Sequence, residues 1–262
     1  MLLAIDAGNT NTVFAVFEGS ECKGSWRAAT EARRTSDEYA VWLDQVMRRD
    51  GLDTKDIDQA IIASVVPSAN FNLSRLCTER FSSRPLIIGE DGVYLGIEIL
   101  LDRPDEVGAD RLVNAVAAFD AVGGPLIVVD FGTATTFDVV DGDGNYRGGA
   151  IAPGINLSLE ALHQAAAKWP KVDIVRPAHV IGKTTVTAMQ AGIFWGYVGL
   201  IEGLVGRMRA EMMGGGIGAP RSVVATGGLA TLFSQATTVI DRIDDDLTLR
   251  GLAIINQLNR SP

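Results

Sequence analysis

Histidine and cysteine are almost missing from this sequence, which has two of each: His163 and His179, Cys22 and Cys77. Two cysteines in an enzyme-sized chain make no disulfide framework, and no Cys/His cluster is present to hold a metal. Long hydrophobic runs are missing as well. Stretches such as AIIASVV fall far short of the roughly 20 apolar residues that cross a bilayer, so no membrane partner is expected. The N-terminal apolar run has no basic leader and is interrupted by Asp6, which argues against a secretory signal. Basic charge is also in deficit. A formal net charge of -9 argues against a nucleic-acid partner, which would leave a basic stripe. These absences lead us to expect a cytoplasmic protein.

What is present is an ordinary globular composition, 47% apolar and 21% charged, in a chain long enough for one large domain or two modest ones. An acidic protein that handles phosphates must offset their charge with metal ions and backbone N–H groups.

An internal repeat organises the chain. Residues 2–20 read LLAIDAGNTNTVFAVFEGS and residues 126–144 read LIVVDFGTATTFDVVDGDG. At a constant offset, Asp6 aligns with Asp130, Gly8 with Gly132, Thr12 with Thr136 and Val16 with Val140. Each copy is an apolar β-branched run, an acid, a turn of small residues and a second apolar run, which predicts a β-hairpin. Apolar spacing predicts helices over 36–50, 109–122 and 247–258, and helical stretches within 184–213 broken by Gly192, Gly196, Gly199 and Gly203. Residues 60–66, 85–88 and 222–228 read as strands. This order predicts an α/β protein of two related domains, 1–123 and 124–262, facing a cleft, with the boundary at Gly123–Gly124–Pro125.

Two acid–Gly–Thr hairpins across a cleft suit a nucleotide. Small turn residues let backbone N–H groups approach phosphates, and Asp6 and Asp130 can hold cations directly or through water. The simpler alternative, that both acids are solvated strand ends, is disfavoured by the duplication. GKTT at 182–185 is not a phosphate-binding P-loop, because Pro177 stands where that motif needs glycine and no clear strand feeds it. The glycines from Gly214 lack the preceding strand of a dinucleotide site. GADR at 108–111 opens a helix, and taken alone its Asp and Arg read as a helix-start acid and a solvated base. With so few histidines, proton transfer beside such a nucleotide would need a carboxylate base, which makes Asp110 a candidate.

Eight segments in order, DAGNTNTVFAVF, SVVP, GADRLVNAVAA, VVDFGTATTFDVV, GGAIAPGI, GKTTVTAMQAGIFWGY, ATGGLA and LTLRGL, resemble the motifs of type III pantothenate kinases, over nearly the whole chain. The resemblance implies duplicated actin-like or sugar-kinase (ribonuclease H-like) domains around a nucleotide cleft. It also implies an ATP-dependent kinase for the 4′-hydroxyl of pantothenate, the first step of coenzyme A synthesis. Such a kinase is a homodimer that uses Mg²⁺ and a monovalent cation, K⁺ or NH₄⁺. By the same resemblance, Asp6, Ala7, Gly8, Asn9, Thr10, Asn11, Thr12 and Val13 form the first phosphate loop, with Asp6 near Mg²⁺. Thr133 contacts ATP from the second loop, and Asp130 holds the monovalent cation. Asp110 is the catalytic base; Gly108, Ala109, Asp110 and Arg111 line the pantothenate site, and Thr185 contacts substrate near the dimer interface. Ala7 and Ala191 depart from the residues many relatives carry, and 95–103 matches only loosely. Competing readings are a kinase for a sugar or acid, a non-catalytic regulator that kept the fold, and, more remotely, an ATP-driven chaperone. Retention of Asp6, Asp110 and Asp130 argues against lost catalysis.

Overall fold

The structure, a computed structural model, describes residues 1–165 and 169–260. Among them, β1 (Leu2–Ala7), β2 (Asn11–Glu18) and β3 (Glu21–Ala29) form a meander, followed by α1 (Ser36–Arg49), β4 (Gln59–Ser64), α2 (Pro67–Arg80), β5 (Leu86–Ile87) and α3 (Ala109–Val122). The second half repeats the pattern with β6 (Leu126–Phe131), β7 (Ala134–Val140), β8 (Tyr146–Pro153), α4 (Ile155–Ala165), α5 (Thr185–Gly214), β9 (Ser222–Thr226), α6 (Ala230–Ser234) and β10 (Arg242–Ile243). Helix α7 (Leu247–Leu258) closes the chain.

Local chemistry sets several of these boundaries. Helix α1 starts with a capping box between Thr35 and Glu38, and it carries acids in its first turn and arginines in its last, matching its dipole. Tyr39, Leu43 and Met47 then fall on one buried face. Apart from the half-buried Asp6 and Asp130 near their ends, strands β1 and β6 are apolar and buried on both faces, as central strands are.

The chain divides into two compact units. Unit 1 comprises Met1–Ala121 and Asp246–Pro262; unit 2 comprises Val122–Asp245. Unit 1 has the sheet order β3-β2-β1-β4-β5, and unit 2 has the matching order β8-β7-β6-β9-β10. In each, the first strand is antiparallel to the second and parallel to the fourth. The α/β class and the duplication are therefore as the sequence leads one to expect.

Four features differ from the sequence reading. The sequence places residues 247–258 in the second domain, 124–262, but α7 packs on β1 and β4 of unit 1. Leu249, Leu252 and Ile255 share a buried cluster with Leu2, Ala4 and Val113, and Gly251 lets α7 come so close that a side chain there would lie 2.3 Å from the Val113 carbonyl oxygen. Second, the repeat is not in constant register. Ala7 pairs with Thr12 but Phe131 pairs with Thr135, so the second turn is one residue shorter and Thr12 corresponds to Thr135. Both threonines are fully buried, and the bulges at Val16/Phe17 and Val139/Val140 agree with this corrected register.

Third, α5 is one continuous helix of 30 residues, not several pieces. Each interior glycine costs about 1 kcal/mol relative to alanine. The row Phe194, Tyr197, Val198, Ile201 and Val205, buried in the core of unit 2, outweighs that cost. By length and composition alone α5 is long and apolar enough to cross a membrane, a test that core helices also pass, and its row from Phe194 to Val205 is buried in unit 2. Fourth, β3, α2, β8, α4, α6 and β10 lie outside the elements that the sequence predicts. Cys22 and Cys77 are both free thiols.

Candidate active site

The first acid–Gly–Thr turn joins β1 to β2 in unit 1. Asp6 is half-buried at the end of β1, opposite Val13, and the turn is closed by the Gly8 N–H donating to the Asn11 carbonyl (3.0 Å). Asn9, Thr10 and Asn11 are exposed, which leaves this stretch open to a ligand. The turn is braced by Thr30, the first residue after β3. Its hydroxyl donates to the Gly8 carbonyl (2.7 Å) and meets the Thr12 hydroxyl (2.9 Å), while its N–H donates to the Thr10 carbonyl (3.0 Å).

Asp110 reaches the same edge of the sheet by a different route. Strand β4 lies parallel to β1, and just beyond it the Val65 N–H donates to the Ala7 carbonyl (3.1 Å). Val65 in turn flanks Gly108, which precedes α3. Asp6, the first turn and the GADR segment thus gather at the carboxyl ends of β1 and β4, where α/β sheets bind ligands. The Asp110 carboxylate accepts the Arg111 N–H (2.8 Å). Burial pushes the carboxyl up from its ordinary value, against the opposing pull of that hydrogen bond and of the Arg111 charge. A helix start alone would have favoured the carboxylate; here desolvation outweighs that preference and makes Asp110 a better base.

The second turn, in unit 2, carries Asp130, Gly132 and Thr133. Asp130 is half-buried and Gly132 and Thr133 are exposed. The Gly132 N–H donates to the Ala134 carbonyl (3.0 Å), repeating the closure of the first turn in one residue less. Two glycines from distant segments press on it. Gly154, directly after β8, donates its N–H to the Thr133 carbonyl (3.1 Å), and a Cβ on it would lie 2.3 Å from that oxygen and 2.7 Å from the Gly132 oxygen. Gly227, after β9, has φ +90°, and a Cβ there would lie 2.6 Å from the Phe131 oxygen and 2.7 Å from Asp130 Oδ1. Behind the turn, Thr135 hydrogen-bonds Tyr197, and the buried Asp138 accepts from the hydroxyls of Tyr146 (2.6 Å) and Thr136 (3.1 Å).

Thr185 lies exposed in the first turn of α5. The preceding Thr184 forms a capping box with Thr187, so GKTT is a helix start, and among the described residues no strand leads into it. Asp6 to Val13 and Gly108 to Arg111 belong to unit 1, whereas Asp130, Thr133 and Thr185 belong to unit 2. The bracing residues Thr30, Gly154 and Gly227 were not singled out from sequence. Thr30 and Gly154 each follow the third strand of their repeat, so carrying the repeat beyond the hairpins would have found them.

Comparison with known proteins agrees with this architecture. A profile of the family described as type III pantothenate kinase matches residues 2–207. The type III pantothenate kinase of Paramagnetospirillum magneticum is 63% identical over 262 residues, covering 100% of this chain and 99% of its own. That of Rhodospirillum rubrum is 65% identical over 260 residues, with 99% of both chains covered. Among solved structures, a chain described as a Baf family transcriptional activator from Campylobacter jejuni superposes with TM-score 0.60 at 18% identity, over 98% of both chains. One described as a 2-dehydro-3-deoxygalactonokinase from Sinorhizobium meliloti gives 0.59 at 14% identity, over 98% of this chain and 96% of its own. At such identities these two establish the shared fold, that of sugar kinases and actin. With half its sheet order duplicated in the other half, and with relatives matched from end to end, the chain belongs to the type III pantothenate kinase family.

Proposed function

We propose that the protein transfers the γ-phosphoryl group of ATP to the 4′-hydroxyl of pantothenate, with Asp110 as the base. The observation that carries this is the half-buried Asp110 carboxylate beside the strand end that also bears the first turn. Phosphoryl transfer proceeds through a loose transition state, so positioning and charge neutralisation dominate. Asp110 orients the hydroxyl and accepts its proton, and its upward shift brings its basicity nearer the working pH.

The turns fit a nucleotide. Both expose small residues, and the backbone around Gly132 and Thr133 is packed so closely at Gly154 that no Cβ could intervene. Residues Asp6 to Val13 and Thr133 would hold the phosphates. Bound Mg²⁺ would supply charge neutralisation at the phosphate oxygens, with Asp6 as a ligand directly or through water. Among the described residues no three His, Cys, Asp or Glu side chains are placed to hold a metal ion together. A divalent ion would then take most of its ligands from water and phosphate, as Mg²⁺ ordinarily does. Gly108 to Arg111 and Thr185 would contact pantothenate, and Asp130 would hold K⁺ or NH₄⁺ beside the second turn.

The decisive experiment is Asp110→Asn. We expect kcat to fall about 10²-fold or more with ATP affinity retained; turnover near that of the wild type removes Asp110 as the base. For the cation, the wild type should be nearly inactive in sodium-only buffer and recover with K⁺ or NH₄⁺. Equal activity in sodium and potassium removes that role from Asp130. We also propose a homodimer in the cytoplasm. Gly192, Gly196 and Gly199 lie exposed along one side of α5, where a second copy could approach closely. Light scattering that returns 27.8 kDa at micromolar concentration contradicts the dimer.

A further inference from the structure

We infer that Gly108 is a positioning residue for Asp110: only a residue without a side chain at the start of α3 lets the carboxylate stand where it does. This rests on Asp110 being the base. A Cβ built on Gly108 would lie 2.6 Å from Asp110 Oδ1, whereas its next neighbour, Val65 Cγ1, stands at an ordinary 3.5 Å. The atom that excludes a side chain at 108 is therefore the reacting oxygen or its twin.

The usual reasons for glycine do not apply at this position. Gly108 is absent from the residues with positive φ, so its backbone is one that any L-residue adopts. It directly precedes α3, and its carbonyl accepts the N–H groups of Arg111 (3.1 Å) and Leu112 (3.4 Å), which makes it the cap of the helix. That position favours Ser, Thr, Asn or Asp, whose side chains bond the first N–H groups. Helices α1 and α5 of this chain follow the rule, with Thr35 and Thr184 in full capping boxes. In α3 the space a cap side chain would fill is taken by the Asp110 carboxylate, which itself accepts the Arg111 N–H. The helix gives up an ordinary cap so that the acid can fold back over its first turn.

The test separates positioning from structure by setting activity against stability. Gly108→Ala and Gly108→Ser should both fold, and the Ser variant, with an ordinary cap restored, should melt at or above the wild-type temperature. Both should lose about 10- to 100-fold in kcat, because a displacement near 1 Å in a reacting group has effects of that size. KM for ATP should stay put. At saturating pantothenate, Gly108→Ala should lower kcat far less in an Asp110→Ala background than in the wild type, since both changes act through one carboxylate. The inference is overturned if kcat stays near wild type in both variants while Asp110→Asn is inactive. It is equally overturned if only KM for pantothenate rises, if the two losses multiply in the double variant, or if neither variant folds. Normal turnover in Asp110→Asn fails differently, because it removes the base itself.

Discussion

The two hairpin turns occupy equivalent places in equivalent sheets and share one backbone bond, from Thr30 to Thr10 and from Gly154 to Thr133, yet they are otherwise held by different means. The first is tied by a side chain, with Thr30 reaching Gly8, Thr10 and Thr12 through hydrogen bonds. At the same place after the third strand, the second has Gly154, which works by having no side chain and letting backbone touch backbone. Duplication of the strand order fixes where a turn sits but leaves open how it is held. A hydrogen-bonded brace has some give, since its partners can find water. A brace made of close contact has none, because protein interiors do not compress.

That contrast can be broken by substitution. The largest effect is expected for Gly154→Ala. Its methyl group would lie 2.3 Å from the Thr133 oxygen, so the turn backbone must move. We expect kcat/KM for ATP to fall about 10²-fold and stability to fall by roughly 1–3 kcal/mol, as overpacking does. Steady-state kinetics and denaturant melts read both, and a wild-type result from each would show that the tight fit is dispensable. Thr30→Val should be milder. It removes the hydroxyl bonds to Gly8 and Thr12, each worth about 1 kcal/mol net, and leaves the N–H bond to Thr10. A rise of about tenfold in KM for ATP with kcat largely kept is expected, and a loss equal to that of Gly154→Ala would erase the contrast.

The smallest effect concerns stability and distinguishes the helix-borne acid of unit 1. Burial raises the pKa of Asp110 in the folded protein. Its contribution to stability is therefore fully present below the unfolded value, ~3.9, and is lost as pH rises through the folded one. Asp110→Asn removes a charge that the fold holds at a cost. Thermal melts at pH 7 should show the variant equal to or slightly above wild type, with the advantage vanishing on acidification. A clear loss of stability at pH 7 would show that the carboxylate is net stabilising.

Much of this was legible in the sequence, for identifiable reasons. The hairpins were legible because each sets a β-branched run against small turn residues, and α1 because its cap, charges and apolar spacing agree. Helix α2 carries Ala69, Leu73, Leu76 and Cys77 at helical spacing, but the row is short and the exposed Phe71 lies off it, which blurs the pattern. Strand β8 was hidden by Gly148 and Gly149, which weaken any strand signal. The register slip between the repeats was invisible because threonine occupies both positions 135 and 136, so either alignment matched Thr12. Asp110 was found as a candidate, but the sign of its pKa shift was not, since burial at a helix start depends on the packing of distant segments.

The placement of α7 bears on how the chain is made. Unit 2 is one unbroken stretch, Val122–Asp245, whereas unit 1 is interrupted by it. Leu249, Leu252 and Ile255 belong to the cluster that holds β1 and β4 against α3. On the ribosome, where chains emerge at about 5–20 residues per second, the first residues translated must therefore wait many seconds for their last packing partners. The second unit has everything it needs before the first does. A stop codon before residue 247 would strip α7 from one of the two buried clusters of the N-terminal unit, rather than trim the end of the C-terminal one.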